Sequence, residues 1–485
     1  MPLYDFDLTS VNAQQNSDIC IVGAGVVGLS TAVKLAQQLP HKKIVLLESG
    51  GATPDAAQAA NEGEIIGNNA YALISSRARA LGGSQWFWGG NSRPLQPIDF
   101  KKRNWVANSG WPISYAQFSE HIESATQLLD IDNSDWSNQH PNLKQVKLNN
   151  TELFDHTHFK LSPQITHTSE VATGTFYQSK QTLIESLDNL DIITHATVVD
   201  YQLKDNHSGF ASLTIANLQQ KQHVIKAESF IFAAGALENA RILKYFTEKD
   251  DLNLPCRDVI GKYFMEHPHR FLNILVSGKE IHSKYQDYFG KFVGSAMHQA
   301  RFTLSENFQR QEKLNNCTLT FLPSDQKNNI KGAFSREQVL FVVALMEQEP
   351  QASNYIQLDA QKDIFNIPKI KLHWSLSDQD WTTLKKVSKT VDQFVGVNRL
   401  GRSFSKTFNR KVTVRGGHHH MGTTRMGTSP TEAVVDKDCR VFGLDNVYMA
   451  GGSVFPTGGA VNPTINMVIL AQRLADTIIK KHAHE

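Results

Sequence analysis

Residues Asp18 to Val22 form a short apolar run that ends in Gly23-Ala-Gly25-Val-Val-Gly28 and continues as a helical pattern of Leu29, Val33, Leu35, Ala36 and Leu39. Strand, glycine turn and helix in that order leave few folds open. Gly23 permits the tight turn, Gly25 lets the backbone approach a pyrophosphate, and Gly28 lets the helix pack close to the strand, with its N-terminus aimed at an anion. A second apolar run, Lys43 to Leu47, ends in Glu48, twenty residues past Gly28. A carboxylate there suits a ribose diol and repels a 2′-phosphate. Glycine turns also arise for packing alone, so it is the strand, the helix and the acid together that indicate a dinucleotide. The motif does not separate FAD from NAD, although its place near the N-terminus leans toward FAD.

With 485 residues, 40% apolar and 20% charged, the chain is long enough for two or three lobes with large cores. Basic and acidic residues nearly cancel, 49 against 47, and no Lys/Arg stripe appears, which argues against nucleic acid or an anionic membrane as partner. A small-molecule ligand is expected instead. Cys20, Cys256, Cys317 and Cys439 are widely spaced without a CxxC, against a disulfide framework or structural zinc. No basic, apolar leader and no bilayer-length apolar window is present, so a cytoplasmic protein is expected.

The far end of the chain carries two linked segments. Gly416-Gly-His-His-His-Met-Gly-Thr-Thr-Arg-Met-Gly427 is a histidine-rich turn, and Gly443 to Thr464 reads as a short apolar strand, a glycine-rich loop and an Asn462-Pro463 that opens an amphipathic helix to about Lys480. Between the two ends, Arg270 to Lys406 holds alternating apolar runs such as Val339–Leu345 and Tyr355–Leu358, with no glycine cradle. Ser305 to Arg336 is polar and reads as a surface excursion or a mobile cover.

Taken together, these pieces resemble the glucose-methanol-choline (GMC) oxidoreductase family over nearly the whole length. The matching residues, in family order, are Gly23 to Gly28 with Glu48-Ser49-Gly-Gly51, Arg79-Ala-Leu-Gly82-Gly83-Ser84 with Trp88-Gly89-Gly90, and Gly110-Trp-Pro112. Phe232-Ala-Ala234-Gly235-Ala-Leu-Glu-Asn-Ala-Arg241, Phe264-Met-Glu-His-Pro268 and the two C-terminal segments follow. The resemblance implies an α/β fold: a Rossmann-like FAD-binding domain of discontinuous segments (1–105, 186–270 and 407–485, the last also catalytic), a mixed cap segment (106–185), and a substrate domain with a largely antiparallel sheet (271–406). It also implies that Val198 lies along the adenine, that Ala234 and Gly235 let the backbone approach the dinucleotide, and that Gly451 and Gly452 stand where many relatives have an acid contacting the pyrophosphate. Some relatives attach the flavin covalently through a histidine just before the tryptophan of the Gly-Gly-Ser segment. This chain has Phe87 there, so noncovalent FAD is expected. Trp86, Phe87 and Trp88 read as core packing or as a flavin wall.

The activity implied is FAD-dependent oxidation of a CH–OH group, with oxygen or another electron acceptor. The flavin N5 takes only the hydride, so a base must take the proton, and an imidazole suits this because its ordinary pKa lies near neutrality. The family's His-X-X-Gly falls on His419, with His418 and His420 as competitors. In an extended stretch 418 and 420 point one way and 419 the other. A shared metal is disfavoured because three adjacent imidazoles do not converge on one ion from an extended backbone. Asn462, forty-three residues on, is expected to hold the substrate oxygen, to cap the following helix, or both. Pro463 and Thr464 would place the positive helix end at the flavin N1/C2=O edge. His267 and His269 receive no chemical role. A lyase-type enzyme on the same scaffold, a flavin-stabilised binding or electron-transfer subunit, and a pyridine-nucleotide dehydrogenase remain open as rivals.

Overall fold

The structure, a computed structural model, describes residues 3–7, 15–131, 158–167, 174–249, 252–277, 291–293, 296–323, 339–397, 399, 401–405 and 413–483. Ile19–Val22 and Ile44–Leu47 are strands with every residue buried, the mark of a sheet covered on both faces. They lie in a six-stranded parallel sheet in the order Leu3–Asp5, Leu190–Thr194, Ile44–Leu47, Ile19–Val22, Ser229–Phe232, Val447–Met449. Three distant stretches of chain thus share one Rossmann-like sheet. The helix Val26–Gln38 follows the glycine turn, and the C-terminal helix Thr464–His482 packs beside it, held by Gln472 Nε2 donating to Ser30 O at 3.1 Å and Lys34 paired with Asp476 at 2.6 Å. The C-terminal helix therefore begins one residue later than the sequence suggested, with Pro463 at its N-cap position.

A second, largely antiparallel sheet runs in the order Gly401–Ser405, His269–Ser277, Val339–Met346, Cys317–Pro323, Ala296–Leu304, Phe159–His167, Asn91–Ser92, with Lys291–Val293 beside Ala296–Leu304. The helix Asp378–Val397 closes one face, burying Trp381, Leu384, Val387 and Val391 against Leu272, Leu319 and Val342. Over its described part, the polar stretch from Ser305 is neither cover nor excursion. Ser305 caps the helix Glu306–Glu312, and Cys317–Pro323 is an inner strand with Cys317 and Leu319 buried. Thr318 within it is buried and donates to Ala460 O at 2.7 Å, tying this sheet to the C-terminal loop. Residues 324–336 of that stretch lie outside the described residues. Tyr355–Lys362 does not join the large sheet but pairs with Pro368–Trp374, which runs parallel to Gly63–Gly67. All four cysteines are buried and free. Among the described residues no helix is long and apolar enough to cross a membrane.

Candidate active site

One cleft of about 420 Å³ joins the glycine turn to the histidine run, although the two are some four hundred residues apart in sequence. Every residue expected to hold the cofactor lines it except Gly28. A Cβ on Gly28 would fall 1.9 Å from Gly23 O, so this glycine serves the close packing of helix on turn. Gly23 has φ +102°, and a Cβ there would lie 2.8 Å from Ala233 O, the neighbouring strand's exit. Gly82 N donates to Ala24 O at 2.8 Å, which lays the Gly82-Gly83 loop against the turn. Gly235, at φ +86°, has nothing within 4 Å of its would-be Cβ.

Glu48 ends its strand with Oε2 accepting from Ala24 N (2.9 Å) and Oε1 from Gly50 N (3.0 Å). Burial pushes its carboxyl up to about 7, against the opposing pull of those backbone donors and of Arg79. Arg79 and Arg241 reach the wall with their guanidinium groups engaged: Arg79 on Ser49, Asn61 and Glu238, and Arg241 on Glu238, Asp363 and Pro368 O. Arg77, not singled out from sequence, also lines the cleft, and its Nε and Nη1 are buried without a partner. The unpartnered guanidinium nitrogens of Arg77, a carboxylate at the strand end and a bare glycine face together fit a dinucleotide, which brings a diphosphate and a ribose diol.

The histidine run is placed by a short antiparallel pairing. Met265 and Met421 exchange both backbone hydrogen bonds at 2.9 Å, so position 267 falls opposite 419 and position 266 opposite 420. His418 departs from extended backbone at φ +58°, yet the side chains sort as alternation requires. On one face His419 Nδ1 lies 3.0 Å from His267 Nδ1, and its Nε2 lies 3.3 Å from Asn462 Nδ2; the His269 ring stands edge-on at 5.7 Å. On the other face His418 and His420 both meet Tyr71, whose hydroxyl is 3.0 Å from His420 Nε2 and 2.8 Å from Glu266 Oε2. Glu266 Oε1 accepts the backbone N–H of His267 and of His419, at 2.9 and 2.7 Å. Burial lowers His419 well below its ordinary value, with the neighbouring histidines adding to the shift, and holds His420 at about 3 and His267 at about 4.

The Gly451-Gly452 departure has a steric reason. A Cβ on Gly452 would lie 2.7 Å from His420 O, and Gly422 N donates to Gly452 O at 3.1 Å, so the loop lies directly against the histidine run. Of the aromatic trio, Trp86 donates to Leu81 O at 3.1 Å, Trp88 lines the cleft, and Phe87 lines it while 55% exposed. Elsewhere Asp5, Asp7 and His195 bring ligand atoms within 4.8 Å of one another, but both His195 nitrogens are already bonded, to Asp5 and Asp55. Sequence reading missed His267, Glu266 and Tyr71. The signal for the first two was present in Phe264-Met-Glu-His-Pro268, but it needed the 265–421 register to become legible.

Comparison with known proteins agrees with this geometry. Residues 18–130 match the model of FAD dependent oxidoreductases, and residues 350–471 match that of GMC oxidoreductases. The chain is 22% identical to 2-methyl-1,2-propanediol dehydrogenase of Mycolicibacterium austroafricanum, over 96% of this chain and 95% of that protein. It is 32% identical to C-glycoside 3-oxidase of Microbacterium trichothecenolyticum over 25% of this chain and 24% of the other. Among solved structures, formate oxidase superposes with a TM-score of 0.63 at 14% identity, covering 98% of this chain and 100% of that one. Pyridoxine 4-oxidase from Mesorbium loti gives 0.59 at 15%, covering 97% and 100%. With the dinucleotide cleft, the histidine run and the matches at 18–130 and 350–471 pointing the same way, the protein is an FAD-dependent oxidoreductase that carries the C-terminal region of GMC oxidoreductases.

Proposed function

We propose that the protein oxidises a CH–OH group of a small alcohol or sugar-like molecule, with His419 as the base and Asn462 as the group that orients the substrate oxygen. The observation that carries this reading is the 3.3 Å approach of His419 Nε2 to Asn462 Nδ2 in the wall of the cleft that also contains the glycine turn. The relatives support the substrate class, one being named for a diol and another for a C-glycoside. Bound among the glycine turn, Glu48 and the Gly82-Gly83 loop, FAD would supply the acceptor for a hydride leaving the carbinol carbon. His419 takes the hydroxyl proton at a ring nitrogen, and Asn462, whose amide is a donor, holds the same oxygen so that the carbon keeps one orientation. The N-terminal end of the helix Thr464–His482 opens on the cleft through Pro463 and Thr464 and favours negative charge there. Phe87 offers no nucleophile for attachment, so the flavin is held noncovalently and is expected in the supernatant after acid precipitation.

The test begins with a panel of small diols, hexoses and aryl alcohols added to the oxidised holoenzyme under nitrogen. Bleaching of the flavin by at least one of them is expected, and a flavin that none reduces overturns the reading. Replacing His419 by Ala should leave FAD bound and slow its reduction by about 10²- to 10⁴-fold. Reduction at the wild-type rate in anaerobic stopped flow would reject His419 as base.

A further inference from the structure

We infer that His267 is a positioning residue that fixes the tautomer of His419 and so decides which of its nitrogens is free to accept the substrate proton. The inference rests on the reading of His419 as base and adds a residue to it. His267 is fully enclosed, with Nε2 2.9 Å from Gly459 O and 3.2 Å from Gly458 O. A carbonyl oxygen has no hydrogen to give, so Nε2 of His267 carries one and donates it. In a neutral ring the lone pair is then on Nδ1. That lone pair lies 3.0 Å from His419 Nδ1, a contact that needs one hydrogen between the two nitrogens. His267 has none to offer at that atom, so His419 supplies it. His419 is thus the Nδ1–H tautomer, and its unprotonated Nε2 is the nitrogen that meets Asn462 in the cleft.

The chain of bonds works only while His267 is neutral. A second hydrogen on His267 Nδ1 would turn the contact round, place the His419 hydrogen on Nε2 and remove the base. Burial opposes that charge and holds the His267 ring near 4. The buried carboxylate Glu347 favours the charged form but is already held by Arg103 through two hydrogen bonds of 2.7 and 2.6 Å. Glu266 does not do this work, because its carboxylate binds the backbone N–H groups of His267 and His419 and fixes the main chain. A neutral imidazole orients the base without placing a negative charge beside it. In the serine hydrolase triad, by contrast, a carboxylate both selects the tautomer and stabilises the imidazolium.

Histidine ring nitrogens of the ¹⁵N-labelled FAD holoenzyme report the tautomer directly, with His419 assigned by comparison with His419→Ala. The wild type is expected to show hydrogen on Nδ1 and a bare Nε2 at position 419, and a bare Nδ1 overturns the inference. His267→Ala should lose the bias toward Nδ1–H. His267→Asn should restore it, because the amide oxygen can replace the lost acceptor. In parallel, with the fastest-reducing alcohol of the panel at saturation, His267→Ala should slow flavin reduction about 10- to 100-fold, the usual scale for a residue that orients a reactive group. FAD content should stay unchanged, and His267→Asn should recover most of the rate. If His419→Ala slows reduction while His267→Ala changes neither tautomer nor rate, this inference fails and the base survives. If His419→Ala leaves the rate intact, the base itself is rejected. Should His267→Ala not fold, the wild-type tautomer still decides.

Discussion

At the scale of single residues, the site sets a cluster of imidazoles beside the buried carboxylate of Glu266, and their environments make opposite demands on protons. Burial and the neighbouring rings lower His419, so it keeps its lone pair as the pH falls past the ordinary histidine value of 6.5. Flavin reduction by a saturating alcohol should therefore be level from pH 6.5 upward and decline only below it. A rate that titrates upward between pH 6.5 and 8 in anaerobic stopped flow would contradict this environment. Glu266 shifts the other way, from 4.5 up to about 7, because burial outweighs the donors from His267, Tyr71 and His419. An acid raised in the folded state contributes stability that is full below 4.5 and is lost as the pH rises through about 7. Glu266→Gln carries no such charge, so its melting temperature relative to the wild type should climb across that window and level off above it, on a scale of about 1.4 kcal/mol for each tenfold change in the acidity of the group. Parallel melting curves for the two holoenzymes would show that the carboxyl is not so perturbed. His419 and Asn462 could be singled out because a family motif marks them. His267 and Glu266 could not, because one backbone register gives them their place and no local pattern records a register.

At the scale of elements, what was legible had a local cause. The strand at Ile19–Val22, its glycine turn and the helix Val26–Gln38 follow from an apolar run, three glycines and a helical repeat within twenty-one residues. The helix Thr464–His482 follows likewise from an Asn-Pro and its apolar face. The two-residue strands Gln15–Asn16 and Asn91–Ser92 left no trace, since two residues cannot display a period. The inner strand Cys317–Pro323 was hidden by the polar residues around it and by Thr318, which is buried and bonded to Thr303 and to Ala460 O. The Gly451-Gly452 loop is the element whose composition looked anomalous and whose packing explains it. In Gly452→Ala the new methyl would meet His420 O, which must move together with the ladder through Met265. Overpacking of this kind typically costs about 1–3 kcal/mol. The variant should bind FAD, melt earlier and reduce its flavin more slowly. Wild-type melting and wild-type reduction together would show that the histidine run has room to yield.

At the scale of the whole molecule, no sequence window reveals how the parallel sheet and the antiparallel sheet are joined, because the joining groups are far apart in the chain. The central instance is Arg103, whose guanidinium meets Glu347 in a two-pronged pair at 2.7 and 2.6 Å, with side chains 1% and 0% exposed and positions 244 apart in the sequence. Glu347 directly follows the strand Val339–Met346 and also accepts from Asn316 N at 3.0 Å, while Asn316 donates to Asp99 at 2.9 Å. The pair therefore joins the segment before Gly110 to the middle of the large sheet. A buried pair of this kind is weak evidence of net stability, since removing two charges from water offsets most of their attraction. Breaking it is another matter: Arg103→Met leaves Glu347 charged and enclosed, a change that typically costs about 3–5 kcal/mol. The loss should deepen as the pH rises, because an unpaired buried carboxyl is tolerated only while protonated. Arg103→Met with Glu347→Gln keeps an acceptor for Asn316 N and removes the charge, so the double variant should regain much of the lost stability. Its melting temperature should also lose the pH dependence of the single variant. Thermal melts of the four holoenzymes at pH 6 and pH 8 complete the cycle, and a double variant no better than Arg103→Met would mean that the junction depends on the shape of the arginine rather than on its charge.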